Sequence, residues 1–336
     1  MPTWNNREVK VVKFKKVDKI DEKLSVIGFG CWGISGPEYW DGTTDENSIK
    51  TIHKAIEYGV NFFDVAPVYG FGHAEEILGK AVKGFRNKII IATKCGLIWD
   101  EEKRIMNNLK PESIFKEVEN SLRRLQTDYI DLYQLHWPDP NTDIGETMDA
   151  MLELKRSGKI RYIGLSNFSV SEAKRAMQKA EISSMQGLYN MLERNANSYH
   201  SIPLEYRTER DILPFCLENG MAFFPYSPLL QGLLTGKFTG NESFKDVRAA
   251  NPNLSGEKFK MYINVVKKLN DIADKIKKPL SQIALNWLIR NEAVTSVIAG
   301  AQNSQQLEEN IGAVTWEMDD ALYYEIERIV ADSDVI

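Results

Sequence analysis

Four polar residues close or follow apolar runs of this sequence, and together they could move a proton. Asp64 ends NFFD, Lys94 ends IIIATK, His136 ends YIDLYQLH, and Tyr69 lies shortly after Asp64 in DVAPVYG. A phenol titrates near pH ~10, but a nearby Lys94 ammonium would favour the phenolate and lower the pKa of Tyr69. Asp64 would pair with Lys94 and hold it in place. His136 would hydrogen-bond the same carbonyl oxygen as Tyr69 and orient the carbonyl group. Such a set suits proton transfer in a carbonyl/alcohol couple.

Lys94, Asp64 and His136 each have a purely structural interpretation as well. A lysine at the end of a strand can be a solvated rim residue, an aspartate can cap the next helix, and a histidine can simply pack in a core. The functional interpretation gains weight only if all four lie on one face of the fold.

The elements that would bring them together alternate along the chain. Short runs rich in β-branched or aromatic residues are separated by segments of helical period. The predicted strands are residues 25–30, 61–64, 89–94, 129–136, 160–166, 184–189, 221–226 and 296–299. The predicted helices are residues 45–58, 75–83, 111–125, 143–157, 170–180, 209–219, 256–276, 280–291, 303–312 and 319–330. Eight repeats favour a closed (β/α)8 TIM barrel over an open sheet, and active sites of such barrels lie at the C-terminal ends of the strands.

Additions to the barrel are also predicted. The residues before Ser25 favour a small β-hairpin that covers one end of the barrel, and extra helices follow at the C-terminal side. Thr44 precedes two acids and marks a helix start, whereas Ser157-Gly158 marks a helix end. Residues 229–254 interrupt the rhythm, as functional lids often do. No low-complexity linker occurs, so we expect one domain over residues 1–336.

Composition excludes several classes of protein. The 336 residues are 43% hydrophobic and 26% charged, with 42 Lys and Arg against 47 Asp and Glu, which gives a net charge of −5. This mild acidity gives no general attraction to nucleic acid or anionic membranes. Cys31, Cys95 and Cys216 are too few for a disulfide framework. With no signal-peptide run and no stretch of apolar residues that could span a bilayer, we expect a cytoplasmic protein with reduced thiols.

Familiar motifs fail in their context. GFGCWG at residues 28–33 fits G-x-G-x-x-G, but no helical pattern follows until about Asp45, so a Rossmann site is disfavoured. GLSNF at residues 164–168 breaks the nucleophile-elbow pattern at Phe168. HExxH, CxxC and P-loop motifs do not occur, and no metal site is expected.

The combined motifs resemble those of the aldo-keto reductases. They are FFDVAPVYGFGHAEEILGKAV, IIIATKCG, YIDLYQLHWP, IGLSNF, MQGLYN, PYSPLLQGLLTGK and VIAGAQNSQQLEEN. The match runs in family order from about Leu24 to Gly312. It is most similar to the bacterial stress- and inositol-operon reductases of this superfamily, which are related to potassium-channel β subunits.

This resemblance implies roles for particular residues. Asp64, Tyr69, Lys94 and His136 match the family's catalytic tetrad, and NADPH would bind extended across the barrel mouth. Ser166, Asn167 and Gln186 match residues that hydrogen-bond the nicotinamide carboxamide, and Tyr226 matches the aromatic residue that stacks on the ring. The other residues placed at the cofactor are Cys31, Trp32, Ser227, Leu229, Gln231, Gly232, Lys237, Gly300, Gln302, Gln306, Glu309 and Asn310. Trp32 and Trp137 would wall the substrate pocket.

One departure from the family pattern concerns the cofactor. Relatives often carry Arg or Lys at the position of Gln302, and Arg at that of Gln306 in the animal branch, to meet the 2′-phosphate of NADPH. The helix amides that start near Asn303 could still take the phosphate. NADPH is therefore the first expectation, and NADH remains open. Cys31 and Val65 also depart from the common GTW and DTA motifs without touching the tetrad.

The sequence thus predicts an NAD(P)H-dependent oxidoreductase that reduces aldehydes or ketones, with Tyr69 as general acid. One alternative is a Schiff-base enzyme with Lys94 as nucleophile, which a paired Asp64 disfavours. Another is a cofactor-sensing regulatory subunit of the same fold with little turnover. The partner expected is a small carbonyl compound, and the individual substrate, the reaction direction and the oligomeric state stay open.

Overall fold

A computed structural model describes residues 12–333 of the chain. Its strands, β1 to β14 in chain order, are Phe14–Val17, Ile20–Ser25, Ile27–Gly30, Phe62–Asp64, Ile90–Cys95, Leu97–Trp99, Ile105–Asn107, Ile130–Leu135, Ile160–Ser166, Ser184–Leu188, Ser198–Tyr199, Ile202–Pro203, Ala222–Tyr226 and Val297–Gly300. Its helices, α1 to α10, are Asp45–Glu57, His73–Ala81, Pro111–Leu125, Ile144–Arg156, Val170–Met177, Leu213–Glu218, Gly256–Ile276, Leu280–Arg290, Ser304–Gly312 and Asp320–Ala331.

Eight strands form a parallel sheet that curls into a barrel. The order in the sheet is β14, β3, β4, β5, β8, β9, β10 and β13. The two edge strands meet where Phe223 of β13 bridges Val294, and the Thr295 N–H donates to the Phe223 carbonyl at 2.9 Å. The prediction of a (β/α)8 TIM barrel is confirmed.

An antiparallel hairpin of β1 and β2 covers the N-terminal ends of the barrel strands. Ile20 and Leu24 of this hairpin pack into an apolar cluster inside the barrel with Phe62, Ile90 and Phe224. The predicted hairpin is therefore confirmed over β1 and β2, while residues 1–11 lie outside the described part. Because the hairpin closes this end of the barrel, a ligand would enter at the opposite end, where the strands have their C-terminal residues.

Local signals fix several helix ends as predicted. The Thr44 side chain accepts from the Asn47 N–H and caps α1. Helix α4 ends at Arg156 with Ser157 as its C-cap, and Gly158 follows with φ of 75°, a left-handed conformation that glycine adopts without strain. Residues 229–254 contain only short 3₁₀ turns, which agrees with the predicted irregular stretch.

The structure differs from the predicted elements at one strand, one helix and two hairpins. The predicted strand 25–30 is divided at Val26, so that Ser25 ends β2 in the hairpin and Ile27 begins β3 in the barrel. The predicted helix 209–219 begins with a π-helical segment, Thr208–Ile212, before α6. Two hairpins, β6–β7 and β11–β12, were missed, because strands this short carry no readable periodicity.

Three further observations concern classes of site. None of the helices within residues 12–333 is long and apolar enough to cross a membrane. Cys31, Cys95 and Cys216 are buried free thiols. Among the residues that the structure describes, no cluster of His, Cys, Asp and Glu side chains is arranged to hold a metal ion.

Candidate active site

The four polar residues singled out in the sequence meet at the C-terminal end of the barrel. Asp64 is the last residue of β4, Lys94 lies in β5, His136 directly follows β8, and Tyr69 lies in the loop between β4 and α2. Lys94 Nζ donates to Asp64 Oδ1 at 2.7 Å, to the Val65 carbonyl at 3.0 Å and to Tyr69 Oη at 3.3 Å. The expected Asp64–Lys94 pair is present, and it lies directly behind the phenol.

The loop that carries Tyr69 is held by close backbone contacts. The Ala74 N–H donates to the Tyr69 carbonyl at 3.1 Å, which ties the loop to the first turn of α2. Gly70 has φ of 65°, and a Cβ added there would lie 2.3 Å from the Ser35 carbonyl oxygen. Only glycine meets both conditions, so the close approach of Gly70 to Ser35 holds the backbone directly after Tyr69.

The prediction that the pKa of Tyr69 is lowered is wrong. Burial, reinforced by the Asp64 carboxylate and the Cys31 thiol, raises the pKa of Tyr69 well above its ordinary value. The ammonium of Lys94 is nearer to Asp64 than to the phenol, so its charge is largely balanced before it can favour phenolate. Tyr69 is therefore a neutral phenol at physiological pH, the form that can donate a proton.

His136 is a neutral imidazole. Burial, and secondly the Lys94 charge, lower the pKa of His136 well below its ordinary value. Its ring centroid lies 6.1 Å from that of Tyr69, with the two planes 80° apart. A neutral ring at this place can donate one hydrogen bond to an oxygen that lies over the phenol.

A cavity of about 600 Å³ opens above these residues. Its aromatic walls include Trp32 and Trp137, the two residues predicted to line a substrate pocket. Other aromatic or apolar side chains in the wall, which sequence reasoning missed, are Tyr39, Trp40, Val68, Phe71, Leu97, Ile105, Tyr199, Ile202 and Phe238. The only sequence signal for these residues was their position in loops that follow barrel strands. That position does not distinguish a residue that lines the cavity from one that packs in the interior.

Asn167 is the centre of a hydrogen-bond network at the cavity floor. It has left-handed backbone with φ of 65°. Its Nδ2 donates to the His136 carbonyl at 3.0 Å, and its Oδ1 accepts from the Tyr206 hydroxyl at 3.0 Å and the Tyr226 hydroxyl at 2.8 Å. Asn167 thereby fixes the Tyr226 ring, and the hydroxyl of Tyr206, which sequence reasoning missed, supports it. Ser166 and Gln186 line the cavity beside this network.

The loop after β13 folds along one side of the cavity. Ser227, Leu230 and Gln231 all have left-handed backbone, and Gly232 follows with φ of 101°. The Gln231 side chain accepts from Asn251 Nδ2 at 2.7 Å, and Asn190 Nδ2 donates to the Ser227 carbonyl at 3.1 Å. The predicted positions Ser227, Leu229, Gln231, Gly232 and Lys237 all line the cavity.

The far end of the cavity lies at the N-terminus of α9. Gly300, Gln302, Gln306, Glu309 and Asn310 line it, as the resemblance implied. The first turn of α9 carries no Lys or Arg. The Gln302 N–H donates to Gln306 Oε1 at 2.8 Å, and Lys237 lies 3.8 Å from Glu309.

Cys31 is not brought to the cavity. Its side chain is fully buried in the core, while its neighbour Trp32 lines the wall. The two adjacent residues open a 3₁₀ turn after β3, and their side chains therefore leave the backbone in different directions. Burial raises the pKa of the Cys31 thiol well above its ordinary value, so this thiol is unreactive.

Comparison with known proteins agrees with this geometry. The model of the Aldo/keto reductase family matches residues 26–331. The chain is 37% identical over 316 residues to the aldo-keto reductase YhdN of Bacillus subtilis, covering 93% of this chain and 91% of that protein. It is 34% identical over 315 residues to the NADH-specific methylglyoxal reductase of Escherichia coli, covering 90% of this chain and 93% of that protein.

A solved structure gives the same result. The glycerol dehydrogenase AKR11B4 from Gluconobacter oxydans superimposes with a TM-score of 0.84 at 33% identity, covering 96% of each chain. Family model, relatives and fold agree, and the chain belongs to the aldo/keto reductase family of oxidoreductases.

Proposed function

We propose that the protein reduces aldehydes or ketones with a nicotinamide dinucleotide and that Tyr69 gives the proton. The observation that carries this proposal is the neutral Tyr69 hydroxyl at the cavity floor, 3.3 Å from the Lys94 ammonium. When bound, the reduced cofactor would supply the hydride to the carbonyl carbon. The protein supplies the proton, the position and the electrostatics.

The cavity fits such a dinucleotide. Its volume of about 600 Å³ lies within the usual range for ligand pockets, and it runs from Tyr69 to the N-terminus of α9. Hydroxyl and amide groups of Ser166 and Gln186 suit a carboxamide, and the Tyr226 ring, fixed by Asn167, suits an aromatic face. At Gly300 an added Cβ would meet only one protein atom, at 3.6 Å, so this glycine leaves the cavity side of the loop open.

The roles of the tetrad follow from its charges. As a carbonyl oxygen gains negative charge, Tyr69 Oη gives up its proton, and the Lys94 ammonium stabilises the phenolate that remains. Asp64 keeps the ammonium in place at 2.7 Å. His136, neutral, would donate a hydrogen bond to the same oxygen and orient it. The pairing of Lys94 also argues against the Schiff-base alternative, which needs an uncharged amine.

We further infer that NADPH and NADH are both accepted. NADPH is the first expectation from the resemblance, and a relative of this chain is named as NADH-specific. A 2′-phosphate prefers a cation. The cations that line the described cavity are Lys237 and Arg248, and these pair with Glu309 and Asp246 respectively. The backbone N–H groups at the start of α9 would stabilise a bound 2′-phosphate only modestly.

The same pairing bears on the substrate. Within the described wall no cation lacks a carboxylate partner, so an anionic substrate finds no free counter-charge. The aromatic residues Trp32, Trp137 and Phe71 favour an uncharged carbonyl compound with an apolar group.

Binding and turnover should be measured separately. Quenching of the intrinsic fluorescence on addition of NADPH or NADH reports binding, and the nicotinamide absorbance with a panel of neutral aldehydes reports turnover. We expect both. Binding without turnover for any aldehyde would favour a cofactor-sensing subunit, and no binding of either cofactor would refute the proposal.

A further inference from the structure

The carboxylate of Asp64 receives a hydrogen bond from a residue that has no assigned role. Lys94 Nζ donates to Oδ1 at 2.7 Å, and two amides donate to Oδ2: Gln186 Nε2 at 2.8 Å and Gln134 Nε2 at 3.2 Å. A carboxylate only accepts, so the nitrogen of each amide must face it. Gln134 is therefore part of the hydrogen-bonded set behind Tyr69, although it is fully buried and does not line the cavity.

The barrel register makes room for this side chain. Gln134 of β8 stands beside Lys94 of β5 on one side and Gly164 of β9 on the other. A Cβ added at Gly164 would lie 2.9 Å from Gln134 Cγ, which is too close for a real contact. Leu132, two residues earlier on β8 and pointing to the same face, belongs to the apolar cluster inside the barrel. An apolar residue at position 134 would simply extend that cluster.

The side-chain amide of Gln134 lowers the stability of the fold. Gln134 Oε1 is buried and has no hydrogen-bond partner among the residues that the structure describes. Leaving a buried acceptor unpaired destabilises a fold, and an apolar side chain of the same length would avoid the penalty. A feature that opposes stability next to proton-transfer residues indicates a role in function.

We propose that Gln134 is a positioning residue for proton transfer. Its N–H holds Asp64 Oδ2, which leaves Oδ1 directed at Lys94 and keeps the ammonium 3.3 Å from the Tyr69 hydroxyl. Gln186 donates to the same oxygen but lines the cavity, so its amide is open to a bound ligand, whereas that of Gln134 is not. Gln134 is the amide donor that Asp64 keeps whatever occupies the cavity. This inference rests on the proposed function of Tyr69.

The first test is Gln134→Met, which keeps the length of the side chain and removes the donor. We expect kcat to fall about tenfold, the scale of one lost charge-assisted hydrogen bond, with KM within about twofold of the wild type. The thermal midpoint should stay within about 2 °C, because the unpaired Oε1 leaves together with the donor.

Asn286→Leu is the matched control. Asn286 is also a buried amide, but its Nδ2 donates to the Ala313 carbonyl at 2.8 Å and the Trp316 carbonyl at 2.9 Å, away from the cavity. This variant should lose thermal stability and keep the wild-type kcat, the reverse of the result for Gln134→Met.

The pH dependence of kcat in Gln134→Glu distinguishes a role in proton transfer from a purely structural role. A protonated Glu can donate to Asp64 as the amide does, whereas two facing carboxylates repel and hold one proton between them. The ratio of variant kcat to wild-type kcat should therefore fall at least about tenfold from pH 5.5 to pH 8.5 as that shared proton is lost.

The outcomes separate the two proposals. A wild-type kcat in Gln134→Met, or a ratio for Gln134→Glu that is flat with pH, overturns the role of Gln134 and leaves the reductase proposal standing. A wild-type protein that binds cofactor but turns over no carbonyl compound overturns the proposed function and the role of Gln134 with it.

Discussion

Replacing Glu117 by Gln should make the protein more stable at alkaline pH and leave it nearly unchanged at mildly acidic pH. Glu117 lies on α3, and its carboxylate accepts from the Gly96 N–H at 3.0 Å and the Ser113 hydroxyl at 2.9 Å. Burial raises the pKa of Glu117 from 4.5 to about 7, because these two hydrogen bonds compensate only part of the lost hydration. In the unfolded chain the carboxyl returns to its ordinary pKa.

The sign and the size follow from this difference. Below pH 4.5 the group is protonated in both states, and its contribution to the free energy of unfolding is fully present. Between pH 4.5 and about 7 the folded state keeps a proton that the unfolded state releases, so stability falls as the pH rises. The full loss, complete above the folded-state pKa, is about 3 kcal/mol. The amide of the Glu117→Gln variant would not titrate, and it can still accept from the Gly96 N–H and donate to the Ser113 hydroxyl.

The assay is chemical denaturation of both proteins at pH 5 and pH 8. Glu117→Gln should match the wild type within about 1 kcal/mol at pH 5 and exceed it by about 3 kcal/mol at pH 8. Glu75→Gln is the control, since Glu75 is also buried but pairs with Arg124 at 2.6 Å, and it should be less stable than the wild type at both pH values. A Glu117→Gln variant that is less stable at pH 8, or whose difference from the wild type is the same at both pH values, would refute the reasoning.

Two further predictions concern packing and cofactor choice. Gly79→Ala should lower the free energy of unfolding by about 1–3 kcal/mol in denaturant, because the added Cβ would lie 2.6 Å from the Arg124 carbonyl oxygen; an unchanged midpoint would contradict the close approach of α2 and α3. The kcat/KM values for NADPH and NADH should differ by less than about tenfold in steady-state assays, because each cation in the described cavity wall is paired with a carboxylate and is not free to bind the 2′-phosphate. A thousandfold preference for NADPH would contradict this interpretation.

Much of the barrel could be read from the sequence. Runs such as residues 89–94 and 160–166 are largely apolar because their strands are covered on both faces, and their carboxyl ends place polar residues on one rim. The positions of Asp64, Lys94 and His136 at strand ends follow from this pattern alone. The β6–β7 hairpin does not follow from this pattern, because each of its strands has three residues and all three residues of β7 are exposed.

The properties that depend on tertiary packing were beyond the sequence. Proximity of Lys94 to Tyr69 was predicted, but the pKa of the phenol depends on burial and on how closely Asp64 balances the ammonium. The network around Asn167 needs Tyr206, which comes from a different loop. The resemblance placed both Cys31 and Trp32 at the cofactor, although these adjacent residues in a turn direct their side chains to different surroundings.

The central claim is that the Tyr69 hydroxyl is the proton donor, and Tyr69→Phe tests it most directly when turnover and cofactor affinity are measured on the same preparation. The ring remains and only the hydroxyl is lost, so the Kd for the reduced cofactor should stay within about threefold while kcat for an aldehyde falls by a factor of about 10²–10⁴. Turnover close to that of the wild type, with cofactor still bound, would contradict the account.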